Sequence, residues 1–203
     1  MANKLELNWA GKYDGYALIR DEETGAPVQV PYDKVQPRLL VEVAQYGDET
    51  VDNILISGEN LYALKTLVKS GYAGKVKLIY IDPPFNTGQA FSQYDDALEH
   101  SLWLDMMSDR IELLMDLLTP DGSLWVHCDD SEQAYLKAAM DEIFGRENFI
   151  TTFIWQKVDS PNDNKVPVTP DHDYILCYSR NPNATNFKQK KDLSLLAAYR
   201  KDN

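Results

Sequence analysis

Apolar positions recur along this chain with two spacings, and the switches between them mark out alternating strands and helices. Residues 53–57 (Asn-Ile-Leu-Ile-Ser) form a short apolar run that ends at Gly58-Glu59-Asn60. Leu61, Leu64, Leu67 and Val68 then repeat at helical spacing, and Gly71 and Gly74 stop that helix. The run Val-Lys-Leu-Ile-Tyr-Ile at 76–81 predicts a β-strand ending at Asp82-Pro83-Pro84. Leu104, Met107, Ile111, Leu114 and Leu118 fall on one stripe of a helix expected over 101–118. After the turn Pro120-Asp121-Gly122, the spacing predicts a strand over 123–127 and a helix over 131–144, closed by Gly145. Two further strands are expected over 149–157 and 173–179, separated by a Pro-, Asn- and Asp-rich loop over 158–172.

Strands that alternate with helices and then come as a close pair predict an α/β fold. The expected sheet is mostly parallel, with helices on both faces and a terminal hairpin. Residues 1–50 read instead as an arm with little regular structure, punctuated by glycine and proline, with one short strand at 28–30. Trp9, Tyr13, Tyr16 and Tyr32 would be costly to leave in water, so the arm is expected to pack on the body, residues 51–180. Residues 181–203 are polar, carry Lys188, Lys190, Lys191, Arg200 and Lys201, and read as a linker.

Composition narrows the function classes. With 44% hydrophobic and 11% aromatic residues in 203, the chain is neither collagenous nor wholly disordered. Its 20 basic and 32 acidic residues leave a net charge of −12, which argues against coating nucleic acid by bulk positive charge. The two cysteines, Cys128 and Cys177, lie in apolar runs, so neither a disulfide framework nor a Cys-x-x-Cys metal site is expected. No signal peptide or membrane span is expected either, and the reading is of a soluble, cytoplasmic protein.

Ligands of open α/β sheets bind beyond the carboxyl ends of the strands, where this chain places Gly58-Glu59-Asn60, Asp82 to Gly88, and Cys128-Asp129-Asp130. The second group carries the most information. Two prolines after a strand remove two backbone donors and stiffen the segment. The Asp82 carboxylate and the Asp82 and Pro83 carbonyls then face outward as acceptors, with the Phe85 ring beside them. Acceptors next to an aromatic face suit a planar substrate that carries an amino group. His127-Cys128-Asp129-Asp130 does not read as a metal site, because consecutive strand residues point to opposite faces. His100 and His172 read as surface groups or as groups behind the site residues, with no role of their own, and Trp103, Met106, Met107 and Met115 read as helix core.

Leu-Ile-Tyr-Ile-Asp-Pro-Pro-Phe-Asn-Thr-Gly resembles motif IV of the amino-methyltransferases of DNA, in the form found in Mod subunits of type III restriction–modification systems. The segments ISGENLYALKTL, FSQYDDALEHSLWLDMMSDRIELL, DGSLWVHCDDSE, DEIFGRENFI, FIWQK and DHDYILCYSR also resemble the family's, in the family's order. The resemblance implies a Rossmann-like fold dependent on S-adenosylmethionine, incomplete in this chain. It implies transfer of a methyl group to the N6 of an adenine flipped out of double-stranded DNA, without a metal. Asp82, Pro83, Pro84 and Phe85 would be catalytic; Gly58, Glu59 and Asp82 would bind the cofactor; Phe85, Asn86 and Thr87 would bind the base. Glu59 stands where the family has Asp, and could instead simply cap the helix that follows. Implied partners are the DNA, a second Mod copy and a restriction subunit.

Two alternatives remain beside this. One is another amino-methyltransferase, acting on cytosine N4 or on a glutamine amide; the other is a non-catalytic DNA-binding or assembly module. The family's glycine-rich Phe-x-Gly-x-Gly turn, which cradles the methionine end of the cofactor, does not occur in these residues. The chain is therefore expected to be the N-terminal part of a longer methyltransferase.

Overall fold

The computed structural model describes residues 6–47, 53–87, 98–158 and 170–183. Most of the loop expected over 158–172 and of the linker expected over 181–203 lies outside the described residues. The main sheet has four strands in the order β3-β4-β6-β5: β3 (Val76–Ile81), β4 (Leu118–Cys128), β6 (His172–Ser179) and β5 (Phe149–Gln156). β3 runs parallel to β4, pairing Ile79 with Leu124 and Ile81 with Val126. A parallel pair needs a long crossover, which α2 (His100–Leu117) supplies. β4–β6 and β5–β6 are antiparallel, the second being the expected hairpin pair. The α/β class thus holds, with a mixed sheet in place of a mostly parallel one, because the hairpin returns β6 against β4.

Alternation along the strands decides where the core sits. Leu124, Val126 and Cys128 of β4, with Leu176 and Tyr178 of β6, point to one face and are buried. Against that face lie Trp103, Leu104, Met107 and Ile111 of α2 and Leu136, Met140 and Phe144 of α3 (Gln133–Phe144), all in one cluster. Both helices therefore cover the same face. The expected helices on both faces are corrected, among the described residues, to helices on one: Leu78, Tyr80, Phe153 and Trp155 on the other side are exposed. Cys128 and Cys177 point to opposite faces, and burial pushes both thiols up to about 12, which leaves them unreactive.

The arm holds more regular structure than its sequence pattern suggests. β1 (Tyr16–Arg20) and β2 (Pro27–Pro31) form an antiparallel hairpin. Its turn is held by Asp21, whose carboxylate accepts from the Thr24 and Glu23 amides. Ala17, Leu18 and Ile19 are buried in succession, which erases the alternation that marks a half-exposed strand. Ala17 and Ile19 join Val35 and Leu61 in a second small core, so the arm packs on α1 (Asn60–Leu67). The apolar run at 53–57, by contrast, forms no strand: no described strand pairs with it, and Ile54 and Leu55 are exposed.

Candidate active site

The parallel pairing of β3 with β4 brings the ends of both strands to one rim, and Asp82 leaves β3 at that rim. Its carboxylate is 63% exposed, with Oδ1 3.6 Å from Nδ1 of His127 on β4. The two prolines that follow are pinned from below, where the buried Trp103 donates from Nε1 to the Pro84 carbonyl at 2.8 Å. The Phe85 ring sits 5.3 Å from the His127 ring, tilted by 57°, and packs on the edge of the main core. Asn86 has a φ of 60°, the left-handed region that Asn tolerates better than most residues, and this turns the chain away directly after Phe85. Thr87 follows at the limit of the described segment.

On the other side of Asp82 lies a cavity of about 420 Å³, lined by Glu59, Asn60, Asp82, Pro83, Pro84 and Arg110 among mostly apolar neighbours. A volume in the range of about 300–1,000 Å³ with few convergent polar groups is typical of a small-molecule site. Two of the three residues expected to bind cofactor, Glu59 and Asp82, thus share one cavity. Gly58 sits beside Glu59 with a φ of 141°, a conformation that favours glycine.

Glu59 also has a structural task. Its carboxylate caps α1 by accepting from the Leu61 amide at 3.2 Å, accepts from the Arg20 amide at 3.0 Å, and pairs with Arg110 at 2.6 Å. Arg110 is nearly fully buried and also donates to Asn60 Oδ1, the Met106 carbonyl and the Leu18 carbonyl. Burial lowers the Arg110 pKa and the Glu59 charge opposes that shift. The network ties β1, α1 and α2 together at the cavity wall.

Over residues 76–201 the chain matches the N6/N4 methyltransferase family of DNA methylases. It belongs to that family. It is 51% identical over 110 residues to the probable type III restriction-modification enzyme HindVI Mod subunit of Haemophilus influenzae, covering 54% of this chain and 15% of that protein. It is 34% identical over 183 residues to the type II methyltransferase M.EcaI of Enterobacter cloacae, covering 87% of this chain and 38% of the relative. With the type III restriction-modification enzyme EcoP15I Mod subunit of Escherichia coli it shares 29% over 218 residues, 93% of this chain and 32% of the relative. The chain therefore spans less than two-fifths of the length of these relatives.

Three residues around this rim carry no signal in sequence spacing. His127 reads as an ordinary strand residue, yet its ring lies 3.1 Å from the Tyr80 hydroxyl at Nδ1 and 3.4 Å from Asp173 Oδ2 at Nε2. Asp173 is held in turn by Lys157 at 2.7 Å. Trp103 reads as core, which it is, with its donor aimed at the turn. Glu132 falls inside the helix expected over 131–144, but the structure places it at the N-cap of α3, where its side chain makes no cap hydrogen bond. Its carboxylate instead accepts from Asn86 and faces His100, which thereby stands behind the turn and not at its exposed rim. Among the described residues no group of three or more His, Cys, Asp or Glu could hold a metal ion, and no helix is long and apolar enough to cross a membrane.

Proposed function

We propose that this chain carries the catalytic turn of a DNA methyltransferase that places a methyl group on the exocyclic N6 of adenine. The observation that carries the reading is the Asp82-Pro83-Pro84-Phe85 turn at the exposed end of β3, beside a cavity of ligand size. Two of the similar proteins are Mod subunits of type III restriction–modification enzymes, which supports an R–M setting for the complete protein. Its partners in this reading are double-stranded DNA, a further Mod subunit and a restriction subunit.

The cavity fits S-adenosylmethionine in character, with a mostly apolar lining that includes Asp82 and the Glu59–Arg110 pair. When bound, that cofactor supplies an electrophilic methyl group. The chain's own residues prepare the acceptor. An adenine amine is a weak nucleophile because its lone pair is delocalised into the ring. When the Asp82 carboxylate and the Pro83 carbonyl accept its two N–H groups, the nitrogen turns pyramidal and the lone pair is freed. These hydrogen bonds strengthen as positive charge develops on nitrogen, which is the condition for lowering the barrier rather than only binding substrate. As the N–CH3 bond forms the sulfur–methyl bond breaks, and the surplus N–H proton passes to solvent at the exposed rim. Phe85 offers a face on which the flipped base stacks, replacing part of the stacking lost in the duplex.

The test is to treat DNA with the intact protein and labelled S-adenosylmethionine and digest the product to nucleosides. N6-methyladenosine is the expected product. N4-methylcytosine would move the specificity within the family, and no DNA methylation would favour a non-catalytic module.

A further inference from the structure

The strongest unexplained group near the turn is Glu132, buried to 2% exposure at the entrance of α3. A carboxylate so deeply buried needs compensating donors. One is the Asn86 side-chain amide, which donates to Oε1 at 2.7 Å. Facing it is the His100 ring, whose Nδ1 lies 2.9 Å from Oε1 and 2.8 Å from Oε2 and donates in the tautomer that carries its proton there. The His100 ring is itself braced edge-on by Tyr135, at 4.4 Å between centroids. Glu132 therefore joins three separate pieces of chain: the end of the Asp-Pro-Pro-Phe turn, the first residue of α2 and the first turn of α3.

We propose that Glu132 is a positioning residue for methyl transfer, acting through Asn86 to hold the turn in its reactive shape. The inference rests on the proposed function and deepens it. Asn86 is the left-handed residue at which the chain reverses after Phe85, so fixing its side chain fixes where the Phe85 ring and the Pro83 carbonyl point. At the other end Trp103 holds the Pro84 carbonyl. The turn is thus gripped on both sides of Phe85 by buried groups from different helices. The ordinary alternative, a helix cap, does not account for Glu132, because its carboxylate makes no hydrogen bond to the helix amides.

The test compares E132A, E132Q, N86A and the E132A/N86A pair in the intact protein. Single-turnover methyl transfer to DNA is measured together with hydrogen–deuterium exchange of the segment 82–87. E132A and N86A should each slow transfer by about 10- to 100-fold, the cost of a small misplacement of reacting groups, while KM values change little. The double variant should be no slower than the slower single, because both remove one contact. E132Q keeps an acceptor oxygen for Asn86 and should stay within about threefold of wild type. Exchange over 82–87 should rise in E132A and not in E132Q.

Losses that multiply in the double variant, an E132Q as slow as E132A, or unchanged exchange in E132A would each overturn the proposal. If E132A fails to fold, N86A decides, and wild-type transfer by N86A overturns the proposal. A wild-type protein that leaves DNA unmethylated would defeat the proposed function, and the exchange comparison would still judge the clamp.

Discussion

Truncating Glu59 separates its two possible roles. Glu59→Ala removes the cap of α1, an acceptor for the Arg20 amide, and the counter-charge of Arg110. Both side chains of the pair are about nine-tenths buried, at 10% and 9% exposure, so solvent cannot replace the lost partner. Breaking a buried pair by removing one member costs about 3–5 kcal/mol. Arg110 retains Asn60 and two carbonyls as acceptors, which places the expected loss at the low end, about 3 kcal/mol including the cap. For a chain of this size that corresponds to a fall in Tm of about 6–12 °C. Urea or thermal unfolding followed by circular dichroism reads the loss directly. The paired change Glu59→Leu with Arg110→Met should recover much of it, because no buried charge is then left alone. A loss below about 1 kcal/mol for Glu59→Ala, accompanied by weaker binding of S-adenosylmethionine, would refute the structural assignment and make Glu59 chiefly a cofactor ligand.

Asp82→Ala should lower methyl transfer at saturating cofactor by about 10²–10³-fold while leaving the unfolding transition in place, since its carboxylate is largely exposed and outside both cores. Near wild-type turnover would show that the chemistry lies elsewhere. Phe85→Ala should cost about 1–3 kcal/mol of transition-state binding, or about 5- to 150-fold in kcat/KM, and Phe85→Trp far less. Equal losses in the two variants would make Phe85 a packing residue. Burial pushes the Asp109 carboxyl up to about 7, partly opposed by Arg110 and Lys65. The folded state then holds a proton that the unfolded state has lost, so stability should decline as pH rises from about 4 to about 7 and level off above. Urea midpoints should show that decline in the wild type and not in Asp109→Asn; parallel pH profiles for the two proteins would refute it.

The chain's residues by themselves settled the α/β class, the three main helices, the strand that delivers Asp82 and the terminal hairpin. Each is written in local periods: a stripe such as Leu104, Met107, Ile111 and Leu114 fixes a helix face, and a β-branched run ending in two prolines fixes a strand and its stop. The Asp-Pro-Pro-Phe turn was legible for the same reason, since its chemistry sits in consecutive residues. Of the hairpin at the arm, the strand at 28–30 was legible as β2, but its partner β1 was not, because Ala17, Leu18 and Ile19 are buried in succession, and a strand without alternation has no local signature. The run at 53–57 misled in the opposite sense, since apolar residues make a strand only where a neighbouring strand can complete the ladder.

The surroundings of the turn were decided by tertiary structure. His127 reaches Asp82 because β4 lies beside β3, Arg110 reaches Glu59 across 51 positions, and Glu132 reaches Asn86 across 46. Hydrogen bonds and ion pairs act over a few ångströms of space and leave no period along a chain. The Asp-Pro-Pro-Phe turn could therefore be read from the sequence, while the groups that hold it in place emerged once helices and strands had packed.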